Sequence, residues 1–555
     1  MQLRPMISYG HMRRLSHIAS VLIKYGFGQF LDRLRIWEYT NIERRLLHRV
    51  RRVPHHTAPE RMRMALEELG PTFIKLGQIL STRPDVVPQN FINELEKLQS
   101  QVAPITPQAA KEVVKEALGQ PVSRLFASFE NDPVACASLS QVHRATLENG
   151  DVVAVKIQRP GIEETVRADV EIMRGLARLL KARWQQIGIM DPVELADEFA
   201  RDITNELDFR HEANNMRHFA RIFEHDDYVH VPRVYDELST RRVLSMEYIS
   251  GIPVIERERL RAEGYDCVLI SRRGADVLLK ASMEHGFFHA DPHPGNIFIL
   301  PDNVVCLLDY GMMGTLSSYQ RESLARLVIS LTRGDERNAS RSLLGMARAM
   351  NGCDSRNLEI DVADFIQYAQ MPLEQFQVGA LLPRLWQLLI RHHLRLPAQL
   401  VWLLKAIAVV EDTGHRLGTA LSMVEYAQPY ARRLLRRRLS PLRQARELQQ
   451  TAIDALDLIK DLPYEIRNIL DQIKEGRVKV EFEHIGLDPM RKTLNRVSNR
   501  LSLAIILAAL VIGSSLIVLS GLPPLVAGIP VVGLGGYILS ALVALWLVAS
   551  MLFSK

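Results

Sequence analysis

Cysteine is scarce in this chain. Its 555 residues hold four, Cys136, Cys267, Cys306 and Cys353, and no CxxC pair. That spacing excludes a disulfide-stapled secreted scaffold and a zinc ribbon, and scattered thiols suit a reducing compartment. There is no internal repeat and no low-complexity run. With 47% hydrophobic and 24% charged residues, the chain is not a disordered tail, a collagen or a coiled-coil rod. Its N-terminus has no clean apolar core and no small-residue cleavage site, which argues against a secretory signal. A mitochondrial transit peptide stays open, because the segment is basic and contains serine, although Glu38 and Glu43 soon interrupt it. The most telling absence is acid near the end. From Leu501 to Lys555 there is no Asp or Glu, and Lys555 is the one basic residue.

That acid-free tail reads as membrane. Leu501 to Leu519 is uncharged, and its nineteen residues would span about 28 Å as a helix, close to the hydrocarbon thickness. Twelve are Leu, Ile or Val, which favours insertion by about 4 to 7 kcal/mol. A break at Gly521, Pro523, Pro524 and Pro530 precedes a second uncharged stretch, Val532 to Phe553. The pattern predicts a transmembrane hairpin. Arg491, Lys492, Arg496 and Arg500 flank its start and Lys555 its end, so the positive-inside rule puts the body in the cytoplasm.

The remaining charge is uneven, within a net of 69 − 63 = +6. Residues 1–63 hold thirteen Lys/Arg against four Asp/Glu, and Ile42 to Pro54 alternates basic and apolar positions. This is either a solvated helix face or an interfacial helix drawn to anionic headgroups. Arg432 to Arg446 carries seven arginines, a second candidate for such contact. Aromatic interleaving is missing, so nucleic acid is not expected as a partner.

Chemistry concentrates between the ends. Asn131 to Gln158 reads as a β-hairpin around Asn149-Gly150. The stretch from Pro59 to Gln101 reads as helix in two parts, and Asp197 to Phe219 as one helix. His289 to Asn296 is HADPHPGN, followed by a short strand pair and Asp309-Tyr310-Gly311. An Asp, an Asn five residues on and an Asp-aromatic-Gly after a hairpin is the layout of a phosphoryl-transfer loop. Hard Mg²⁺ prefers oxygen ligands, which Asn296 and Asp309 supply. Asp291 would orient or deprotonate the attacking group. A structural turn is the plain alternative. His285, His289 and His293 would suit a metal if helical, but Pro292 and Pro294 break that helix.

Upstream, Val153-Ala154-Val155-Lys156 puts a lysine on a strand, where it can pair nucleotide phosphates. It needs a helical carboxylate to hold it. Glu206 and Glu212 would lie about 120° apart on one helix, so they serve two partners. Glu212 is assigned to Lys156. Glu247 and Tyr248 end the next strand, where adenine would meet a hinge. No GxGxxG lies between the strands. Ala135, Cys136, Ala137, Ser138, Leu139, Ser140, Gln141 and Val142 stand there instead, and small residues still let backbone approach phosphates.

These residues resemble the UbiB family of atypical kinase-like proteins. The resemblance covers roughly residues 60–320. It rests on Lys75, Gly77 and Gln78 for a KxGQ motif, the alanine-rich loop, Lys156, Glu206 and Asp208 for an ExD motif, Glu212, Asp291 with Asn296, and Asp309. It implies an α+β, atypical protein-kinase-like two-lobe fold with helical extensions, here joined to a C-terminal two-helix transmembrane hairpin. It also implies ATP or ADP binding with Mg²⁺, more ATPase than protein-kinase activity, and a role in ubiquinone biosynthesis. The expected partners are a bilayer with anionic headgroups, lipid quinone intermediates and ubiquinone-biosynthesis enzymes. A bacterial inner membrane is the expected location. The KxGQ segment would cover the groove, with Lys75 paired to Glu206.

The expected division is a basic helical segment (1–58), a KxGQ extension (59–130), an N-lobe (131–250), a helical C-lobe (251–450), linker helices (451–500) and the hairpin (501–555).

Overall fold

The computed structural model describes residues 9–34, 56–81, 83, 86–98, 103–183, 191–349, 354–369, 378–419, 421–438, 487–521, 523–526 and 529–553. The chain forms two units, Met1–Arg446 and Glu447–Lys555. The basic run at Ile42 to Pro54, residues 439–446 of the arginine run and most of the expected linker fall outside the described residues.

The first unit is a helix-rich α+β body. In chain order its strands near the site are β1 (Ser128–Phe129), β2 (Ala135–Cys136), β3 (Ser140–Thr146), β4 (Val152–Gln158), β5 (Val229–His230), β6 (Val243–Glu247), β7 (Ile252–Pro253), β8 (Phe287–His289), β9 (Ile297–Leu300), β10 (Val304–Leu307) and β11 (Met313–Thr315). β1, β3, β4 and β6 form an antiparallel sheet, with β2 also pairing β3. Gly150 takes φ +90° in the β3–β4 turn, a conformation that suits glycine.

Alternation sorts this sheet's two faces. Ala145, Val153, Val155, Ile157 and Val243 bury one face with Ala110, Val113 and Val114 of the helix Pro107–Leu118. On the other face, Lys156 sits between Val142 and Leu244 in register. Lys156 thus lies where an apolar face turns towards the second lobe. That lobe carries the sheet β5-β10-β9-β7 and the pair β8–β11. The β9–β10 hairpin separates Asn296 from Asp309 along the chain.

Several expectations need correction. The stretch 59–101 forms three helices, Ala58–Leu69, Pro71–Ser81 and Gln89–Leu95. The extra break is Gly70 at φ +96°, where the first helix ends. Asp197 to Phe219 is not one helix either. Pro192–Glu206 ends at Leu207, and Asp208 caps a new helix, Phe209–Ile222, by accepting from the Arg210 N–H. The expected 120° offset between Glu206 and Glu212 therefore has no physical basis, because they lie on different helices.

The basic N-terminal segment is partly integrated into the body. The helix Tyr9–Lys24 buries Leu15, Ile18 and Val21, and its Arg14 pairs with the buried Asp169 at 2.7 Å.

Among its described residues the second unit holds two helices, Leu487–Ser520 and Val531–Phe553. Tyr537 and Ser515 hydroxyls meet at 2.6 Å between them. A Cβ on Gly533 would lie 2.6 Å from Val518 Cγ2, so the helices touch closely there. Among the described residues, Leu501–Ser520 is the one helix long and apolar enough to cross a membrane. The apolar described part of the second helix, Val531–Leu545, is shorter.

Candidate functional site

Several segments bring charged groups to the cleft. β4 delivers Lys156, and the helix Phe209–Ile222 delivers Glu212 one turn after its cap. The Lys156 ammonium lies 2.8 and 2.7 Å from the two Glu212 oxygens. Asp309 follows β10, and its Oδ1 lies 3.7 Å from the same ammonium. Burial would lower the Lys156 pKa, but Glu212 and Asp309 outweigh it and hold it above its ordinary value. Burial pushes the Glu212 carboxyl up, against the pull of Lys156. Lys156 holds Asp309 well below the usual carboxylate range, with help from the Gly311 N–H at 3.0 Å.

The loop after β8 is tied to Asp309 through one imidazole. The Asp291 N–H donates to His289 Nδ1 at 3.2 Å, and His289 Nε2 donates to the Asp309 carbonyl. That arrangement fixes a neutral tautomer, and burial lowers the His289 pKa accordingly. His293 Nδ1 accepts the Gly295 N–H. With His289 and His293 so engaged, and no metal-like cluster of three His, Cys, Asp or Glu among the described residues, the three-histidine alternative falls away. Asn296 accepts the Leu308 N–H at 3.0 Å through its carbonyl, which sets it beside the residue preceding Asp309. Tyr310 is fully buried, and Asn215 Nδ2 donates to its carbonyl at 2.9 Å.

The residues fit a hard divalent cation. The Asp309 side chain is 51% exposed, and Asn296 adds an oxygen donor. Asp309 and Asn296 would hold such an ion, which would supply positive charge to offset that of a bound phosphate.

The KxGQ helix Pro71–Ser81 closes over this centre. Lys75 Nζ lies 2.7 Å from Glu206 Oε2, with the two side chains 12% and 26% exposed. Burial works against the Lys75 charge, but Glu206 first, then Asp309 and Asp291, raise its pKa above the ordinary value. Gly77 is a close-approach position: a Cβ there would lie 2.2 Å from Leu98 Cδ1 and 2.9 Å from Leu66 Cδ1. The Gln78 amide donates to the Leu98 carbonyl at 3.4 Å.

Other expected site residues have structural partners. Leu139 is buried with Phe73, Leu95 and Leu98, which ties the alanine-rich turn to the KxGQ helix. Gln141 is fully buried, accepts the Ile105 N–H at 3.0 Å and meets His143 at 2.6 Å. Its carboxamide is thereby committed. Ala137 N–H donates to the Ser140 carbonyl, closing the turn, and Ser138 and Ser140 are buried. Ala135 and Cys136 pair with Val142 and Gln141 across β2–β3. The Glu247 carboxylate accepts from the Arg233 N–H and meets His230 at 2.9 Å. Tyr248 lies under the Arg144 guanidinium at 5.1 Å. The Glu247 and Gln141 side chains thus hold the lobe together.

Sequence reasoning missed Lys405 and took His289 only as a metal-ligand candidate. His289 links Asp291 to Asp309. Lys405, on the helix Ala398–Arg416, places its ammonium 3.0 Å from Asp291 Oδ1.

A strand-borne lysine held by a helical carboxylate, facing an Asp-Tyr-Gly across a two-lobed cleft, defines an atypical kinase-like protein. Residues 97–343 match the ABC1 atypical kinase-like domain, 365–422 the UbiB helical domain and 485–553 the ABC1/UbiB kinase-like C-terminal domain. A probable protein kinase UbiB from Marinobacter nauticus is 33% identical over 477 residues, 84% of this chain and 86% of that protein. An uncharacterized protein from the hydrogenase 1 5' region of Clostridium pasteurianum is 32% identical over 550 residues, 98% of this chain and 99% of that protein. A solved complex of Rv3197 with erythromycin from Mycobacterium tuberculosis is 26% identical, with a TM-score of 0.45, covering 64% of this chain and 90% of that one. The chain belongs to the UbiB family of atypical kinase-like proteins.

Proposed function

We propose that this chain is a membrane-anchored, kinase-like protein that binds and hydrolyses ATP with Mg²⁺ in support of ubiquinone biosynthesis. The carrying observation is the convergence of Lys156–Glu212, Asp309 and Asp291 beneath Lys75. Lys156 pairs nucleotide phosphates, and Glu212 keeps it extended. Asp309 and Asn296 hold the metal. Asp291 accepts the proton of the attacking water as that oxygen bonds the γ-phosphorus and ADP departs. Lys75 on the covering helix leaves room for nucleotide and water more readily than for a protein acceptor, so hydrolysis is preferred over phosphotransfer.

Membrane association is supported by the Leu501–Ser520 helix. The finer reading is a hairpin of both C-terminal helices in a bacterial inner membrane, with the body cytoplasmic. Anionic headgroups, lipid quinone intermediates and the biosynthetic enzymes are the proposed partners. The test is phosphate release from ATP by the purified chain in anionic and neutral vesicles. Magnesium-dependent release is expected. A stoichiometric labelled acceptor would replace the hydrolase with a phosphotransferase, and no nucleotide binding would sink both.

A further inference from the structure

Asp291 needs a cation, and its own loop does not provide one. Two residues on, His293 is spent on the Gly295 N–H, and His289 is spent between Asp291 and Asp309. Among the described residues, the ion-pair contact to Asp291 comes from Lys405, 114 residues later in the chain. Lys75 acts on Asp291 through its field, without such a contact. Lys405 lies in the helical domain, residues 365–422, outside the matched kinase-like domain, 97–343. The cation that contacts Asp291 therefore comes from outside the matched kinase-like domain. Glu96, at the end of the helix Gln89–Leu95, is the second acid that feels Lys405. The ammonium thus sits between the catalytic loop and the KxGQ extension.

We propose that Lys405 is a positioning residue for the phosphoryl-transfer centre, holding Asp291 as an aimed carboxylate, so that the helical domain completes the site. This rests on reading the cleft as an ATP-hydrolysing centre. Lys405 takes Asp291 Oδ1 and leaves Oδ2 to accept the proton of the attacking water. The water oxygen then bonds the γ-phosphorus, and the bond from that phosphorus to the ADP oxygen breaks. A cation fixed at Oδ1 favours the ionised carboxylate and stops it turning towards Lys75. Burial works against ionisation of Asp291, and Lys405 is the largest influence opposing it.

The experiment compares wild type, Lys405→Met and Lys405→Arg as full chains in anionic vesicles. Lys405→Met should lower kcat about 100-fold, the scale of one lost charge-assisted group. Mg-ADP affinity should stay within about 2-fold, because the nucleotide-holding residues are untouched. The acid limb of the kcat/KM profile should move to higher pH, since Asp291 loses the charge that favours its ionised form. Lys405→Arg should recover about 10-fold of the loss. If Lys405→Met does not fold, Lys405→Gln carries the same readouts. A kcat within about 3-fold of wild type, or an unmoved acid limb, overturns the proposal. A wild type that turns over ATP while the variants match it defeats this inference alone. A wild type that neither binds nor hydrolyses ATP defeats the functional reading and this inference together.

Discussion

Replacing Asp202 with asparagine should stabilise the body at neutral pH. The helix Pro192–Glu206 carries Glu198, Asp202 and Glu206 four residues apart, on one face. The outer two are answered: Arg83 meets Glu198 at 3.1 Å and Lys75 meets Glu206 at 2.7 Å. Asp202 lies between them, and its buried Oδ2 has no hydrogen-bond partner. Burial raises its pKa, Glu198 and Glu206 add to the rise, and Arg201 and Lys75 oppose it; the carboxyl is pushed up to about 6. The unfolded value is near 3.9. An acid raised on folding binds its proton more tightly in the folded state. Its contribution to stability is therefore intact below pH 4 and lost as pH rises through 6. Two pKa units correspond to about 3 kcal/mol, and residual solvent contact reduces that to about 1 to 2 kcal/mol. Asparagine keeps the shape, removes the charge and can donate to the flanking carboxylates. With about 2.1 cal/mol/K of unfolding entropy per residue, a body of this size gains about 1 to 2 °C. Calorimetry at pH 7.5 and pH 5.0 decides it. A variant no more stable at 7.5, or a gain that does not shrink at 5.0, refutes the argument.

Three further outcomes follow from the geometry. In a double-mutant cycle on Mg-nucleotide affinity, Lys75→Ala and Glu206→Ala should couple by about 1 to 2 kcal/mol, above an exposed pair; additive effects would mean that the 2.7 Å contact does not persist in solution. Asp309→Asn removes a carboxylate held ionised by Lys156, and should cost at least about 10-fold in Mg-nucleotide affinity, read by titration calorimetry with and without metal. Truncation after Arg500 should release the body from membranes in alkaline carbonate; if the shortened protein still resists extraction, the apolar C-terminal helices are not the anchor.

Local chemistry was the legible part of this site. The Asn149-Gly150 turn, the Asp291–Asn296 interval and Asp309 after a hairpin depend on neighbours in the chain, so order and spacing carry the signal. Helix ends were legible in principle. Asp208 is an N-cap type and Gly70 a helix stop, yet continuous charge patterning across Leu207 concealed the boundary between Glu206 and Glu212. The side chains of Glu247 and Gln141 could not be resolved from sequence. Their partners, His230, Arg233, Ile105 and His143, are set by strand pairing and lobe packing.

Lys405 marks where local reading stops. From Leu400 to Val410 it is the lone charge in an otherwise apolar helical stretch, and a half-buried cation is costly unless something answers it. That anomaly is visible in one dimension. It says that a partner must exist but not which acid it is, because the helix could face any carboxylate that the fold carries past it. The partner is fixed by packing of the helix Ala398–Arg416 against the helix Cys267–Leu279 and the β8–β11 pair, next to the strand from which the Asp291 loop leaves. A lysine that breaks an apolar stripe is thus a question posed by the sequence, and the carboxylate it finds at 3.0 Å makes it a matter for kinetics.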